Sequence, residues 1–135
     1  MAEPTLLHAD TASRIINAFY RVYDTLGYGF LEAVYCNAFA IELDRQAVPF
    51  IREAPIDVFY RGSRVGRYRA DFLVANAIVV EVKASRALDE SHRKQLLNTL
   101  RATRTEVGML LHFGTKPTFK RMVFENGPKG PEQLE

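Results

Sequence analysis

Apolar positions along residues 11–26 recur at helical spacing, with Ile15, Ile16, Phe19, Val22, Tyr23 and Leu26 on one stripe. Asp10 or Thr11 is the expected N-cap, and Gly27 and Gly29 end the helix. A second helix is predicted over 31–46, with Val34, Tyr35, Ala38, Phe39, Ile41 and Leu43 as its apolar positions. From Ile51 the period shifts towards two. Pro55 introduces a strand through Tyr60, Arg61-Gly62-Ser63-Arg64 reads as a hairpin turn, and residues 65–74 and 78–83 complete an antiparallel meander. A helix follows from near Asp89, carrying His92, Gln95 and Asn98 beside Leu96, Leu97 and Leu100. Two further strands are expected at 107–113 and 118–124.

This order, two helices, three strands, a helix and two strands, predicts an α/β (α+β) domain with a mixed central β-sheet flanked by helices. The connection from residue 83 to residue 107 is long enough for a crossover, which lets those two strands run parallel. One domain is expected over 1–125, with a flexible tail over 126–135, where Gly, Pro and charge accumulate.

Composition narrows the class. The 135 residues are 47% hydrophobic and 25% charged, values of an ordinary globular domain. No apolar run is long enough to span a membrane, and the first ten residues do not resemble a secretory signal. The lone Cys36 cannot form an internal disulfide and falls among apolar helical positions, as core filler would. A cytoplasmic protein with no membrane association is the expectation. Charge is uneven: residues 1–60 carry four arginines against eight acids, and residues 61–135 carry fourteen basic residues against eight acids. Arg61, Arg64, Arg67 and Arg69 crowd one hairpin, and Arg101, Arg104, Lys116, Lys120 and Arg121 follow. Such a half is read either as a surface for a polyanion or as a solvated basic face.

The candidate chemistry lies in two short segments, Ala70-Asp71-Phe72-Leu73-Val74 and Ile78-Val79-Val80-Glu81-Val82-Lys83. Alternation along a strand places Glu81 and Lys83 on one face and Val80 and Val82 on the other. Pairing across Ala75-Asn76-Ala77 would bring Asp71 to the same place. Glu-x-Lys on a strand is often only its solvated side. Here, however, residues 78–82 are apolar on both faces apart from Glu81, so the strand is expected to be covered on both sides. Two carboxylates and an ammonium at such an edge are costly unless paired, and a divalent metal would resolve the cost. Glu32 falls in the first turn of the second helix, where the dipole alone accounts for it. Gly-rich phosphate loops, cysteine clusters and nucleophile elbows are missing from the sequence, and His8, His92 and His112 are too scattered for a metal motif.

Gly29-Phe30-Leu31-Glu32-Ala33-Val34-Tyr35 matches Gly-x-x-Glu-x-x-Tyr, and further matches are Tyr68-Arg69-Ala70-Asp71, Val80-Glu81-Val82-Lys83-Ala84, His92-x-x-Gln95-Leu96-Leu97-Asn98 and the stretch from Gly108 to Gly114. The chain thereby resembles the GxxExxY proteins, a family similar to the PD-(D/E)XK nuclease superfamily. The resemblance implies a restriction-endonuclease-like core and an Mg²⁺- or Mn²⁺-dependent nuclease or nuclease-like phosphodiesterase acting on DNA or RNA through metal-activated water. It makes Asp71 and Glu81 the metal-binding acids and Lys83 the catalytic lysine; Mg²⁺ wants several hard oxygens, and the Val82 carbonyl is a candidate third ligand. Glu32 and Gln95 correspond to accessory catalytic positions, and Gly29, Glu32 and Tyr35 are signature residues. The alternative is a non-catalytic nucleic-acid-binding or protein-interaction module that keeps the fold, with a protein partner or a homodimer supplying specificity. Departures from the family pattern are Ala70 before the first acid, Thr99 in the glutamine helix, Tyr23 in place of His, and His112 in place of Asn. His112 reads as a partner of the ligands, a proton shuttle or a surface imidazole, with the surface favoured.

Overall fold

The computed structural model describes residues 7–129. Its elements run α1 (Ala9–Leu26), α2 (Glu32–Arg45), β1 (Phe50–Tyr60), β2 (Ser63–Val74), β3 (Ile78–Lys83), α3 (Glu90–Arg101), β4 (Val107–Phe113) and β5 (Pro117–Val123). The five strands form one sheet in the order β1-β2-β3-β4-β5. All neighbours are antiparallel except β3 and β4, which run parallel through the α3 crossover. The expected α+β architecture, a mixed sheet flanked by helices, is the one observed.

Helices α1 and α2 cover one face. Ile15, Phe19 and Val22 of α1 and Phe39 and Leu43 of α2 pack with Phe72, Val80, Val82, Leu111 and Phe113. Helix α3 covers the other face, where Leu96 and Leu100 meet Ala70, Val79 and Leu110. All seven residues of β4 are buried, and in β3 only Glu81 and Lys83 are not fully so. Both strands are covered on two sides, which is why they read as continuous apolar runs.

Several boundaries differ from the sequence reading. Helix α1 begins two residues earlier, with His8 (φ 56°) as N-cap rather than Asp10 or Thr11. Asp10 instead stands inside the first turn, where the dipole favours it and Arg14 pairs with it at 3.3 Å. In α2, Val34 and Ile41 are exposed, whereas Cys36 and Ala40 are buried. Strand β1 extends back through Pro55 to Phe50, and its place at the sheet edge tolerates the proline. The expected tail lies partly outside the described residues. Within them, the Lys129 ammonium donates to the carbonyls of Thr103 and Thr105 and to Asn126 Oδ1, which docks residues 126–129 against the end of α3.

Candidate functional site

Asp71 occupies a break in the sheet. The β1–β2 register pairs Arg52 with Phe72 and Ala54 with Ala70, but skips Glu53 and Asp71, and Glu53 has φ 50°. Across the break the faces exchange: Phe72 packs under α1 and α2, and Ala70 packs under α3. On the other side, β2 pairs with β3 only from Val74–Ile78 to Phe72–Val80. The next amide that points at β2, that of Val82, donates to Asp71 Oδ2 at 2.7 Å instead of to a backbone carbonyl. Because a strand residue aims its N–H and C=O at the same neighbour, the Val82 carbonyl faces the same gap.

Val80 and Val82 lie in the α1/α2 core, so alternation turns Glu81 and Lys83 to the α3 face. Burial, then the neighbouring Asp71 charge, push the Glu81 carboxyl up to about 8, while Lys83 acts in the opposite direction. Burial and a neighbouring carboxylate both favour the protonated form of Glu81.

Glu32 reaches the same gap from the first residue of α2. Its pKa is raised, first by partial burial and also by Asp71, against the pull of Lys83, His92 and the Ala84 amide. The segment that delivers it is held by Tyr35, one turn further on. The Tyr35 hydroxyl donates to the Gly27 carbonyl at 2.5 Å and accepts from the Phe30 amide at 3.2 Å. Its ring stacks on Phe113, with centroids 4.3 Å apart. Gly29, at φ 114°, adopts a backbone conformation that residues with a Cβ rarely take. The Gly29–Glu32–Tyr35 spacing therefore anchors the linker from two sides and sets where α2 begins.

Asp71, Glu81, Lys83 and Glu32 thus converge at the carboxyl end of β3. Gln95 is less engaged: it lies on α3, but its side chain is exposed and hydrogen-bonds to none of the described residues. His92, three residues before it, acts on Glu32, and its buried Nδ1 has no hydrogen-bond partner among the described residues. His92 belongs to the His92-x-x-Gln95 match, one helical turn before Gln95, and the scatter of the three histidines excludes it only from a histidine metal motif.

His112 is not a surface imidazole. It is 5% exposed, and its Nε2 contacts the Ser85 carbonyl at 2.8 Å and Ser85 Oγ at 3.1 Å. Its strand register sets it beside Lys83, so it fixes the chain as it leaves β3. Tyr23, the other departure, donates its hydroxyl to the Gly114 carbonyl at 2.8 Å. Thr99 accepts from the Tyr68 hydroxyl at 2.8 Å beneath α3. Cys36 is core, as its helical setting implied; burial and the nearby Asp71 and Glu32 charges push its thiol up to about 12.

The sheet, its crossover and this cluster of acids and a lysine at the end of the central strand define a restriction-endonuclease-like domain. The family model of the PD-(D/E)XK nuclease superfamily matches residues 9–122, and the chain belongs to that superfamily. No curated protein and no solved structure matches the chain.

Members of the superfamily usually use divalent metals. The donors here suit a hard cation: the Glu81 and Asp71 carboxyls in hydrogen-bond contact, and a carbonyl facing the same gap. Among the described residues, no three His, Cys, Asp or Glu side chains form a closed cage. A site with few protein ligands fits Mg²⁺, which keeps several of its waters. Also among the described residues, no helix is long and apolar enough to cross a membrane.

Proposed function

We propose that the protein is a divalent-metal-dependent nuclease that hydrolyses phosphodiester bonds in DNA or RNA. The observation that carries the reading is the convergence of Asp71, Glu81, Lys83 and Glu32 at the end of β3, in a chain of the PD-(D/E)XK superfamily. Asp71, Glu81 and the Val82 carbonyl would hold Mg²⁺ or Mn²⁺. When bound, the ion supplies Lewis acidity, making water easier to deprotonate and withdrawing charge from the phosphate. Lys83 offsets the negative charge that builds on the phosphoryl oxygens as the bond breaks. Glu32, whose carboxyl holds its proton more tightly than a solvated one, orients the attacking water and accepts its proton. His92 partly opposes the rise in the Glu32 pKa, and Gln95, from the exposed side of α3, contacts the substrate backbone.

Incubation with single-stranded, duplex and branched substrates in Mg²⁺ or Mn²⁺ tests the reading. Cleavage by the wild type and its loss in Asp71→Ala and Lys83→Ala are expected. No cleavage by the wild type, or equal cleavage by the variants, overturns it.

One observation favours a second reading, a protein-interaction module that keeps the fold. Tyr28, Phe30, Leu31 and Val34 are exposed on and just after the linker beside Glu32, a concentration of apolar surface suited to a partner. Under that reading, titration with Mn²⁺ shows no binding that depends on Glu81.

A further inference from the structure

The basic half of the chain does not present one uniform surface. On the β1–β2 hairpin, Arg67 and Arg64 both face Asp57, at 3.1 and 3.8 Å, Arg69 faces Glu53 at 3.7 Å, and Arg61 lies over the Tyr60 ring. Elsewhere Arg121 donates to the Leu7 carbonyl, Arg101 covers Phe124, and Lys129 is held by three oxygens. The side chains of Lys94, Arg104, Arg86, Lys116 and Lys120 are exposed and neither hydrogen-bond nor ion-pair with the described residues. Of these, Arg86, Lys116 and Lys120 come together. They line one open cleft of about 440 Å³, together with Arg93 and the edge of His112. Its two acids are already engaged: Asp89 caps α3 through the Ser91 amide, and Glu90 faces Arg93 at 3.7 Å.

The cleft adjoins the candidate site through the strand register. Glu81 pairs with Leu110, which pairs with Lys120; Lys83 pairs with His112, which pairs with Thr118. These rows lie on the α3 face, so Lys120 stands two strands from Glu81, about 10 Å at ordinary strand spacing. Like charges with no counter-ion gathered in a concave surface form a field that suits a chain of phosphates.

We propose that this cleft is the track for the phosphate backbone, so that a nucleic-acid strand leaves the site over β4 and β5 and not along the β1–β2 hairpin. The proposal rests on the nuclease reading of the adjoining site, but its test does not need turnover. The probe is a fluorescently labelled, mixed-sequence single-stranded oligonucleotide, bound in the presence of chelator over a range of salt concentrations. The double variant Lys116→Ala/Lys120→Ala is expected to bind at least tenfold more weakly, with the slope of log K against log[salt] reduced by about 0.7 for each lost phosphate contact. Arg64→Ala/Arg67→Ala removes the same formal charge and is expected to change affinity less than twofold. Failure of the wild type to bind, unchanged binding by the cleft variant, or an equal loss in the hairpin variant overturns the track. Binding through the cleft without any cleavage in Mg²⁺ overturns the nuclease reading and leaves the track standing. Cleavage with unaltered binding in the cleft variant does the reverse.

Discussion

The hydroxyl of Tyr35 donates on one side of the α1–α2 linker and accepts on the other, so one atom closes two backbone groups that would otherwise lie unpaired near the core. Tyr35→Phe keeps the stack on Phe113 and removes both bonds. The expected cost is about 1–2 kcal/mol in urea denaturation, since each lost bond leaves a partly buried polar group behind. Glu81 supports a second prediction of a different kind. Its ordinary pKa of 4.5 applies to the unfolded chain, and its folded value is about 8, so the fold holds the proton more tightly. Its contribution to stability is complete below pH 4.5 and is lost as pH rises through 8. With chelator present, the wild-type denaturation midpoint should fall across that window. Glu81→Gln, which mimics the protonated form, should flatten the profile and be the more stable protein at pH 9.

Among the elements, β3 was legible from its residues alone: a short apolar run with one acid and one lysine at alternate positions could hardly be an exposed strand. The break beside it was not. Nothing local marks Glu53 for a positive φ; the distortion arises because β1 and β2 must serve two different cores on either side of Asp71. His112 escaped for a related reason. Its burial depends on the Ser85 carbonyl arriving from another strand end, a tertiary partner that no window of sequence contains. Burial also falls off along β1–β2 towards the hairpin tip. Beyond Ile56 the hairpin has little buried surface, and only three residue pairs join β2 to β3. Hydrogen exchange should therefore run fast for amides 57–67 and slowest in β3 and β4, where both faces are covered. Uniform protection along β1 and β2 would contradict this gradient.

At the scale of the molecule, the acidic first half and the basic second half of the sequence meet along the hairpin and partly cancel there, whereas Arg86, Lys116 and Lys120 keep their charge together in one cleft. The helices are organised in the same direction. The first residue of α2 and the crossover into α3 both lie at the carboxyl end of β3, so the acids, the lysine and the cleft open on one rim. The architecture and the acid–lysine pattern could be read from the sequence. The choice among its basic residues could not, because the pairing that silences the hairpin arginines exists only after β1 folds against β2.

Cys36 has a practical consequence. It is the single thiol of the chain, 8% exposed, and it lies beneath the carboxylates of the site. With its thiol pushed up to about 12 by burial and the nearby carboxylates, its thiolate is far scarcer near neutral pH than that of an ordinary cysteine. Alkylation of the folded protein is therefore expected to wait for the rim to open, and the labelling half-life becomes a stopwatch for that opening. Variants that loosen the linker, Tyr35→Phe first among them, should shorten it before any loss of secondary structure is visible by circular dichroism. A half-life equal to that of the urea-unfolded chain would mean that the rim stands open in the native state.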